Sequence, residues 1–420
     1  MNYRIFPPEE MIEAAIELPL SKSISNRALI INALTADAKP IAKVAHCDDT
    51  DVMVEALSSQ SSDVNIGAAG TAMRFLTAYF SVQEGREVVL DGSERMRQRP
   101  IKALVDALRD CGASIEYLGE EGFPPLKILG RKLQGVDVAL PASISSQYIS
   151  ALLMIAPLMA QGLRLTLEGE IMSRPYILMT LEMMRRQGVE SEFDDNIITI
   201  APSEYRYADI DVEADWSAAS YWYEIAALST GMVSLKGLQS PSLQGDSKIA
   251  GYFEHLGINT QFSDEEVVLE PSPEQDARLE LDMSEQPDLV QALAVTCCML
   301  RIPFRFTGVE TLRIKETDRL ESLRVELDKL SFDLSIEGDN AIAWYGGQHP
   351  IFEQPCIDTY KDHRMAMAFA PVALYLPGVV INDVEVVSKS YPDYWEHLAQ
   401  AGFVIVDADA EISEDTEMAE

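Results

Sequence analysis

A short polar cluster followed by an apolar stretch rich in small residues recurs along the chain. The recurrence predicts six helices that are apolar on nearly every face, which is typical of helices in a buried position. Their starts lie roughly 71 to 76 residues apart, except for a first interval of about 47. The six segments are SKSISNRALIINAL (21–34), AGTAMRFLTAYF (69–80), SISSQYISALLMIAPL (143–158), DWSAASYWYEIAAL (215–228), QPDLVQALAVTCCML (286–300) and KDHRMAMAFAPVAL (361–374).

A second pattern lies between these helices: a strand-like stretch, a polar turn, an amphipathic helix and a further strand. Glycines near the ends of the amphipathic helices are consistent with this pattern, because glycine is favoured just past a helix end. The polar face of these helices predicts an outer position. The strand-like stretches are VVLDG (88–92), LRLTLEGE (163–170), MVSLKGL (232–238), FRFTGV (304–309) and VVIND (379–383), with a degenerate first copy at PIAKVAH (40–46).

The two patterns combine into a unit of helix, strand, helix, strand and extra strand that occurs six times. Six such units predict an α/β architecture of two domains with three units each. A solenoid is disfavoured because the helices are of two kinds, one inner and one outer. The first unit is shorter than the others by roughly 25 residues.

Charge and composition narrow the function. With 33 Lys and Arg against 68 Asp and Glu, the formal charge is −35, which repels nucleic acids and anionic membrane surfaces. The most apolar stretch, 151–160, is about half the length that spans a bilayer. The five cysteines include no CxxC pair, and the first residues carry no apolar signal core. A reducing cytoplasm is therefore the expected location, and a structural metal or disulfide framework is not expected.

Basic and hydroxyl side chains collect at the starts of the inner helices, where free backbone N–H groups attract anions. Simple helix capping is the alternative explanation for any one of them. Four such starts in an acidic protein favour small substrates with several negative charges. The residues are Lys22, Ser23 and Arg27; Gly70, Thr71 and Arg74; Ser145, Ser146 and Gln147; and Asp362, His363 and Arg364. The turns before the outer helices add Arg95, Arg97, Arg99, Arg174, Lys315, Arg319 and Lys389, of which Arg97 and Arg174 are expected to be solvated.

Two acids stand among these bases. Glu316 lies between Lys315 and Arg319, and Asp288 opens the fifth inner helix. Either carboxylate is suited to acid–base chemistry if burial adjusts its pKa. Equally, both are favourable simply as acids at a helix N-terminus, and the local sequence leaves these two interpretations open.

Seven motifs, in order along nearly the whole chain, resemble those of the 5-enolpyruvylshikimate-3-phosphate synthase family (3-phosphoshikimate 1-carboxyvinyltransferase): LPLSKSISNRAL, AGTAMR, RMRQRPI, SSQYISALLM, KETDRL, DHRMAMAFA and KSYPDYW. The resemblance implies two domains, each of three βαβαββ repeats, in the inside-out α/β barrel of enolpyruvyl transferases, with the active site in the interdomain cleft. It implies crossovers near residues 20 and 213. The first domain is then 21–213, with a shortened first repeat, and the second is 1–20 plus 214–406, followed by an acidic tail, 407–420, that is expected to be frayed.

The family reaction, which belongs to the shikimate pathway of aromatic amino-acid biosynthesis, transfers the enolpyruvyl group of phosphoenolpyruvate to the 5-hydroxyl of shikimate 3-phosphate. It passes through a tetrahedral intermediate and releases phosphate. No metal or organic cofactor is implied, and neither a nucleic acid nor a membrane is an expected partner. A monomer is expected.

The resemblance also implies roles for individual residues. Asp288 would accept the 5-hydroxyl proton, and Glu316 would handle the proton at the enol methylene, with Lys22 as an alternative donor. The residues implied to bind shikimate 3-phosphate are Lys22, Ser23, Arg27, Ser145, Ser146, Gln147, Ser173, Tyr176, Asp288 and Lys315. Those implied to bind phosphoenolpyruvate are Lys22, Gly70, Arg99, Gln147, Arg319, His363, Arg364 and Lys389.

The sequence departs from the family pattern at Leu20, Ala68, Phe75 and Thr311, in place of a glycine, an asparagine, a proline and an asparagine. Two alternatives therefore stay open. One is UDP-N-acetylglucosamine enolpyruvyl transferase, whose reactive loop cysteine has Cys111 as its nearest counterpart here. The other is a non-catalytic protein that binds shikimate 3-phosphate on the same fold.

Overall fold

The computed structural model describes residues 1–143, 145–351 and 354–410. Its helices are α1 (Lys22–Ala33), α2 (Asp48–Ser58), α3 (Gly70–Ser81), α4 (Lys102–Asp110), α5 (Ser146–Ile155), α6 (Arg174–Arg186), α7 (Trp216–Leu228), α8 (Ile249–Glu254), α9 (Val290–Leu300), α10 (Arg319–Lys329), α11 (His363–Phe369) and α12 (Tyr394–Gln400). Short 3-10 turns cover Met96–Gln98, Ala156–Leu158, Gly245–Lys248, Pro287–Leu289, Glu310–Ile314, Ala370–Leu374 and Val384–Lys389.

The strands are β1 (Tyr3–Phe6), β2 (Glu13–Glu17), β3 (Asp63–Asn65), β4 (Glu87–Asp91), β5 (Ser114–Tyr117), β6 (Leu126–Leu129), β7 (Asp137–Pro141), β8 (Leu163–Glu168), β9 (Glu192–Asp194), β10 (Ile197–Ile200), β11 (Met232–Lys236), β12 (Ile258–Phe262), β13 (Glu266–Pro271), β14 (Leu279–Asp282), β15 (Phe304–Thr307), β16 (Phe332–Glu337), β17 (Ala341–Gln348), β18 (Cys356–Ile357), β19 (Val379–Ile381) and β20 (Val404–Asp407).

The chain divides into two compact units. The inserted unit is Leu20–Glu213, and the terminal unit combines Met1–Pro19 with the chain from Ala214 onward. In the terminal unit, three four-stranded sheets have the orders β12-β13-β11-β2, β14-β15-β17-β16 and β18-β19-β1-β20. The inserted unit has two such sheets, β3-β4-β6-β5 and β7-β8-β10-β9.

The five repeats that form a sheet follow the βαβαββ order. In the sheet β3-β4-β6-β5, for example, β3 and β4 are parallel and connected through α3, and β6 pairs antiparallel with both β4 and β5. A parallel pair requires a crossover, and the inner helix supplies it. The α/β fold with βαβαββ repeats, predicted from the sequence, is confirmed.

The predicted inner helices are α1, α3, α5, α7, α9 and α11, and their apolar residues form the cores. In α7 and α9 nearly every side chain is buried, aromatic residues included. Both α5 and α11 are shorter than the apolar pattern and continue as 3-10 turns that contain Pro157 and Pro371. Proline lacks the N–H that would continue an α-helix, which explains where these helices end.

The first repeat keeps its two helices but forms no described sheet. The strand predicted at 40–46 is wrong: that segment is irregular, and Ala45 N donates to Ser25 Oγ over 2.8 Å. A strand needs a partner for its backbone groups. Among the described residues of this shortened repeat there is no hairpin to supply one.

The acidic tail begins later than predicted. Asp407 closes β20 opposite Tyr3, and Ala408 N donates to Asn2 O over 2.9 Å. Residues 411–420 lie outside the described residues, so the prediction of a frayed tail is untested there.

Candidate active site

In both units, the candidate residues lie at the starts of inner helices and in the turns before outer helices. In the terminal unit these positions carry Ser217 (α7), Asp288 (before α9) and the Asp362–Arg364 segment (α11). The corresponding turns carry Asp246, Lys315 to Arg319, and Lys389. The repeat therefore brings together charged residues that lie far apart in the sequence.

Arg319 lies at the centre of the terminal unit's cluster and is almost fully buried. Its Nε donates to Asp362 Oδ2 over 2.7 Å, and its Nη1 donates to Asp288 Oδ1 over 2.9 Å. Its Nη2 reaches Glu316 Oε2 at 3.0 Å. One guanidinium thus orients three carboxylates. The rigid, multidentate fork of arginine suits this role better than the single ammonium of lysine.

Asp288 contacts three cations. Its Oδ2 lies 3.0 Å from Arg364 Nη2, and its Oδ1 lies 3.5 Å from Lys315 Nζ in addition to its bond with Arg319. Burial would raise the pKa of Asp288, but Arg364, Lys315 and Arg319 outweigh it and hold this pKa well below its ordinary value. Asp288 is therefore an ionised acceptor in the isolated chain.

The other site residues predicted in the terminal unit belong to the same cluster. Glu316 Oε1 lies 3.5 Å from Lys389 Nζ, so this carboxylate sits between Lys389 and Arg319. His363 is buried at the start of α11, with its Nδ1 3.6 Å from Asp362 Oδ1. Every terminal-unit residue predicted for the site belongs to this cluster.

Asp246 and Tyr221 also contribute to this cluster, and sequence reasoning had not selected them. Ser217 Oγ donates to Asp246 Oδ2, and Arg364 contacts both Ser217 Oγ and Tyr221 Oη at 3.4 Å. Burial and the nearby Asp288 charge raise the pKa of Asp246 to about 7. The position of Asp246 in the sequence could have identified it as a site residue, since it occupies the turn before an outer helix.

In the inserted unit, Arg27 is buried and contacts neutral groups. Its Nε donates to Thr180 Oγ1 over 2.7 Å, and its Nη2 donates to Ser150 Oγ over 3.0 Å. The rings of Phe75 and Tyr176 lie 5.4 and 5.8 Å from the guanidinium carbon. Burial lowers the pKa of Arg27 to about 10, so it stays charged at neutral pH. Phe75, which stands where the family pattern has a proline, thus packs against a predicted site residue.

Arg99 lies over the start of α3. A Cβ added at Gly70 would come within 2.7 Å of Arg99 Nη1, so only glycine allows this approach. In the described part of the chain no acidic side chain pairs with Arg99, although its side chain is largely buried. Nearby, Arg74 donates to the backbone oxygens of Gly70 and Pro100, which fixes the helix start to the turn.

The start of α5 presents hydroxyl and amide groups. Ser145 caps the helix by accepting from Gln147 N, and Gln147 Nε2 donates to Thr71 Oγ1 over 3.0 Å. Ser146 is buried in the first turn. Ser173, just before α6, adopts a left-handed backbone with φ of 55°, which is uncommon for a residue with a Cβ and typical of functional positions.

Lys22 is paired with an acid that the sequence analysis did not select. Its Nζ lies 3.0 Å from Asp49 Oδ2, and Asp49 is nearly inaccessible at the start of α2. Ser23, half-buried, offers its backbone oxygen to Arg27 Nη1 at 3.0 Å. The predicted residues of the inserted unit thus occupy helix starts and turns in that unit.

Two other sequence expectations have structural outcomes. Cys111 is buried at the end of α4, and burial raises its pKa to about 11, unlike a reactive loop cysteine. Arg97, expected to be solvated, is half-exposed and forms a bidentate pair with Asp91.

Among the described residues, no helix has the length and hydropathy to cross a bilayer.

The fold and the two clusters together define a class of α/β protein that binds small anionic molecules at the N-termini of buried helices. Comparison with known proteins specifies the family. A family model described as EPSP synthase (3-phosphoshikimate 1-carboxyvinyltransferase) matches residues 7–62 and 58–398. The chain therefore belongs to the EPSP synthase family.

Individual relatives agree with this assignment. A 3-phosphoshikimate 1-carboxyvinyltransferase of Bacteroides fragilis (strain YCH46) is 49% identical over 407 residues, which is 96% of this chain and 99% of that protein. One of Colwellia psychrerythraea is 36% identical over 422 residues, covering 94% and 98%. A solved EPSP synthase from Acinetobacter baumannii matches with a TM-score of 0.77 at 21% identity, covering 97% of this chain and all of that one, and this likeness shows the fold.

Proposed function

We propose that this chain transfers the enolpyruvyl group of phosphoenolpyruvate to the 5-hydroxyl of shikimate 3-phosphate and releases phosphate. One observation carries the proposal beyond family membership. In a chain with 68 acidic residues, the buried Arg27 and Arg99 pair with no carboxylate among the described residues. Buried cations without acids are suited to anionic substrates, which supply the missing charge on binding.

Shikimate 3-phosphate is the proposed ligand of the hydroxyl-rich helix starts in the inserted unit. Arg27 and Ser23 suit its carboxylate and ring, because Arg27 is rigidly held by Thr180 and Ser150. The start of α5 and the turn before α6 suit its phosphate, with Tyr176 beside them. The full proposed set is Lys22, Ser23, Arg27, Ser145, Ser146, Gln147, Ser173, Tyr176, Asp288 and Lys315.

Phosphoenolpyruvate is the proposed ligand of the arginine and lysine groups in both units. Arg99 over Gly70 suits a phosphate or carboxylate in bidentate geometry. In the terminal unit the candidates are Arg319, His363, Arg364 and Lys389, and in the inserted unit Lys22 and Gln147 join Gly70 and Arg99.

Asp288 is the proposed acceptor of the 5-hydroxyl proton. In the isolated chain three cations keep its pKa low, which makes it a weak base. An anionic substrate bound by Arg364 and Lys315 would offset those cations and raise the pKa of Asp288. Substrate binding would thus make Asp288 a stronger base. Glu316, which lies between Lys389 and Arg319, is the proposed group for the proton at the enol methylene, with Lys22 as the alternative donor.

We further propose a cytoplasmic monomer without a cofactor. The composition supports this, since the strongly acidic surface favours solubility and the cysteines suggest a reducing compartment. Light scattering of the purified chain would test the oligomeric state.

The testing experiment is phosphate release from phosphoenolpyruvate, with either shikimate 3-phosphate or UDP-N-acetylglucosamine as the acceptor. We expect release with shikimate 3-phosphate alone. Lys22→Ala, Asp288→Ala and Glu316→Ala should each lower turnover by at least about 100-fold while the fold persists, as expected for groups that transfer protons.

The outcomes separate the alternatives. Release with UDP-N-acetylglucosamine would favour the related transferase. Calorimetric binding of shikimate 3-phosphate without release would favour the non-catalytic alternative. Normal rates in all three variants would contradict the proposed roles.

A further inference from the structure

The loop that joins β18 to α11, residues 358–362, has a strained backbone. Tyr360 and Lys361 both adopt left-handed conformations, with φ of 54° and 59°. Two consecutive residues with side chains rarely occupy this region unless the surroundings hold them there. The loop ends at Asp362, which accepts from Arg364 N over 3.0 Å and from Arg319 Nε over 2.7 Å. The strain therefore lies directly beside the charged cluster.

Glu326 of α10 holds this loop from the side. It is fully buried, its Oε1 accepts from Tyr360 Oη over 2.6 Å, and its Oε2 accepts from Asp358 N over 3.1 Å. Lys329 Nζ lies 2.8 Å from Glu326 Oε2 and 2.9 Å from Asp358 Oδ2. A single carboxylate thus fixes the loop at two points on either side of Thr359.

The same helix contacts the loop at its other end. Arg319 opens α10 and binds Asp362, while Glu326 lies about two turns further along. The loop is therefore held against one rigid helix at both ends. Removing either contact would allow the strained residues to relax, and Asp362 would move with them.

We propose that Glu326 and Tyr360 are positioning residues: they keep the 358–362 loop in its strained conformation, so that Asp362 and Arg364 meet Arg319 and Asp288 in the catalytic geometry. Neither side chain is proposed to touch a substrate. The inference rests on the proposed function, because it assigns Arg319 and Arg364 to phosphoenolpyruvate.

Steady-state kinetics of Tyr360→Phe and Glu326→Gln in the full chain tests this. We expect the KM for phosphoenolpyruvate to rise on the order of tenfold, less than the about 100-fold loss that a 1 Å misplacement can cause. The KM for shikimate 3-phosphate should change less than about twofold, because most of its proposed ligands lie in the inserted unit. A merely structural role would lower the temperature of unfolding without this separation of the two KM values.

Tyr345→Phe is the matched control, since it removes another tyrosine–glutamate hydrogen bond, from Tyr345 to Glu337, at an exposed site of the same unit. It should leave both KM values unchanged. An active parent enzyme with an unchanged KM for phosphoenolpyruvate in both Tyr360→Phe and Glu326→Gln would overturn the inference. An inactive parent enzyme would instead count against the proposed function itself.

Discussion

Arg319 and Asp362 form a buried ion pair with two hydrogen bonds, from Nε to Oδ2 at 2.7 Å and from Nη2 to Oδ1 at 3.3 Å. Asp362 also caps α11, so this one pair links the starts of α10 and α11. The remaining donors of Arg319 reach Asp288 and Glu316. A change at Arg319 therefore affects three carboxylates together.

Arg319→Gln should destabilise the protein by about 3–5 kcal/mol, because it leaves buried carboxylates without their cation. Activity should fall as well, since Asp288 and Glu316 lose their common partner. Urea unfolding and phosphate-release kinetics measure the two effects. Arg185→Gln is the control: it breaks an exposed pair with Glu182 and should cost less than about 1 kcal/mol. An Arg319→Gln protein as stable as the parent would refute this account of the cluster.

Asp49→Asn should lower kcat/KM on the order of tenfold, because a hydrogen bond between charged groups is worth about 1.5 kcal/mol or more. The reason is that Asp49 Oδ2 holds Lys22 Nζ at 3.0 Å, in a nearly buried position. Asp51→Asn on the same helix removes an exposed carboxylate and should have no effect. Equal rates for both variants and the parent would show that Lys22 needs no anchor.

Much of this architecture could be predicted because the chain repeats it. Apart from the first strand, the inner helices, the strands that follow them and the outer helices match the predicted segments, because the apolar periodicity recurs in each copy and glycines follow four of the outer helices. The prediction was wrong at 40–46, where a strand-like composition lacks a partner strand. Local pattern cannot reveal whether the hairpin that would pair with a segment is present.

The charged residues were likewise visible from the helix starts, but their pairings were not. Asp49 contacts Lys22, and Tyr221 contacts Arg364. Asp246 joins the same cluster as Arg364 through Ser217. These contacts form because the fold places residues that are distant in the sequence side by side. The low pKa of Asp288 also required structure, since it depends on three cations from separate segments outweighing burial. Sequence spacing alone left that balance open.

Gly70→Ala should raise the KM for phosphoenolpyruvate, because the new Cβ would displace the Arg99 guanidinium from a 2.7 Å approach. The loss should be about tenfold, comparable to removing a hydrogen bond to a charged group, about 1.5 kcal/mol. Gly251→Ala is the control, since Gly251 faces open space in α8, and alanine there should stabilise the helix by about 0.5–1 kcal/mol. An unchanged KM in Gly70→Ala would remove Arg99 from the proposed phosphoenolpyruvate ligands.

The buried Glu224 makes the stability of the folded protein depend on pH. It is fully buried in α7, and neither carboxyl oxygen has a hydrogen-bond partner among the described residues. Burial raises the pKa of Glu224 well above its ordinary value of 4.5. The folded chain therefore keeps this proton at a pH where the unfolded chain has released it.

The sign of the effect follows from that difference. Because the folded pKa is raised, the stability associated with the proton is fully present below pH 4.5 and is lost as the pH rises toward the folded pKa. The slope in this interval is about 1.4 kcal/mol per pH unit at 25 °C. Glu224→Gln should remove this slope, so the variant should gain stability relative to the parent as the pH rises from 5 to 8. Urea unfolding at several pH values measures it, with the exposed Glu254→Gln as the control that should keep the parent's pH dependence. Parallel curves for the parent and Glu224→Gln would mean that Glu224 is ionised in the folded chain, and that a charge partner stabilises it there.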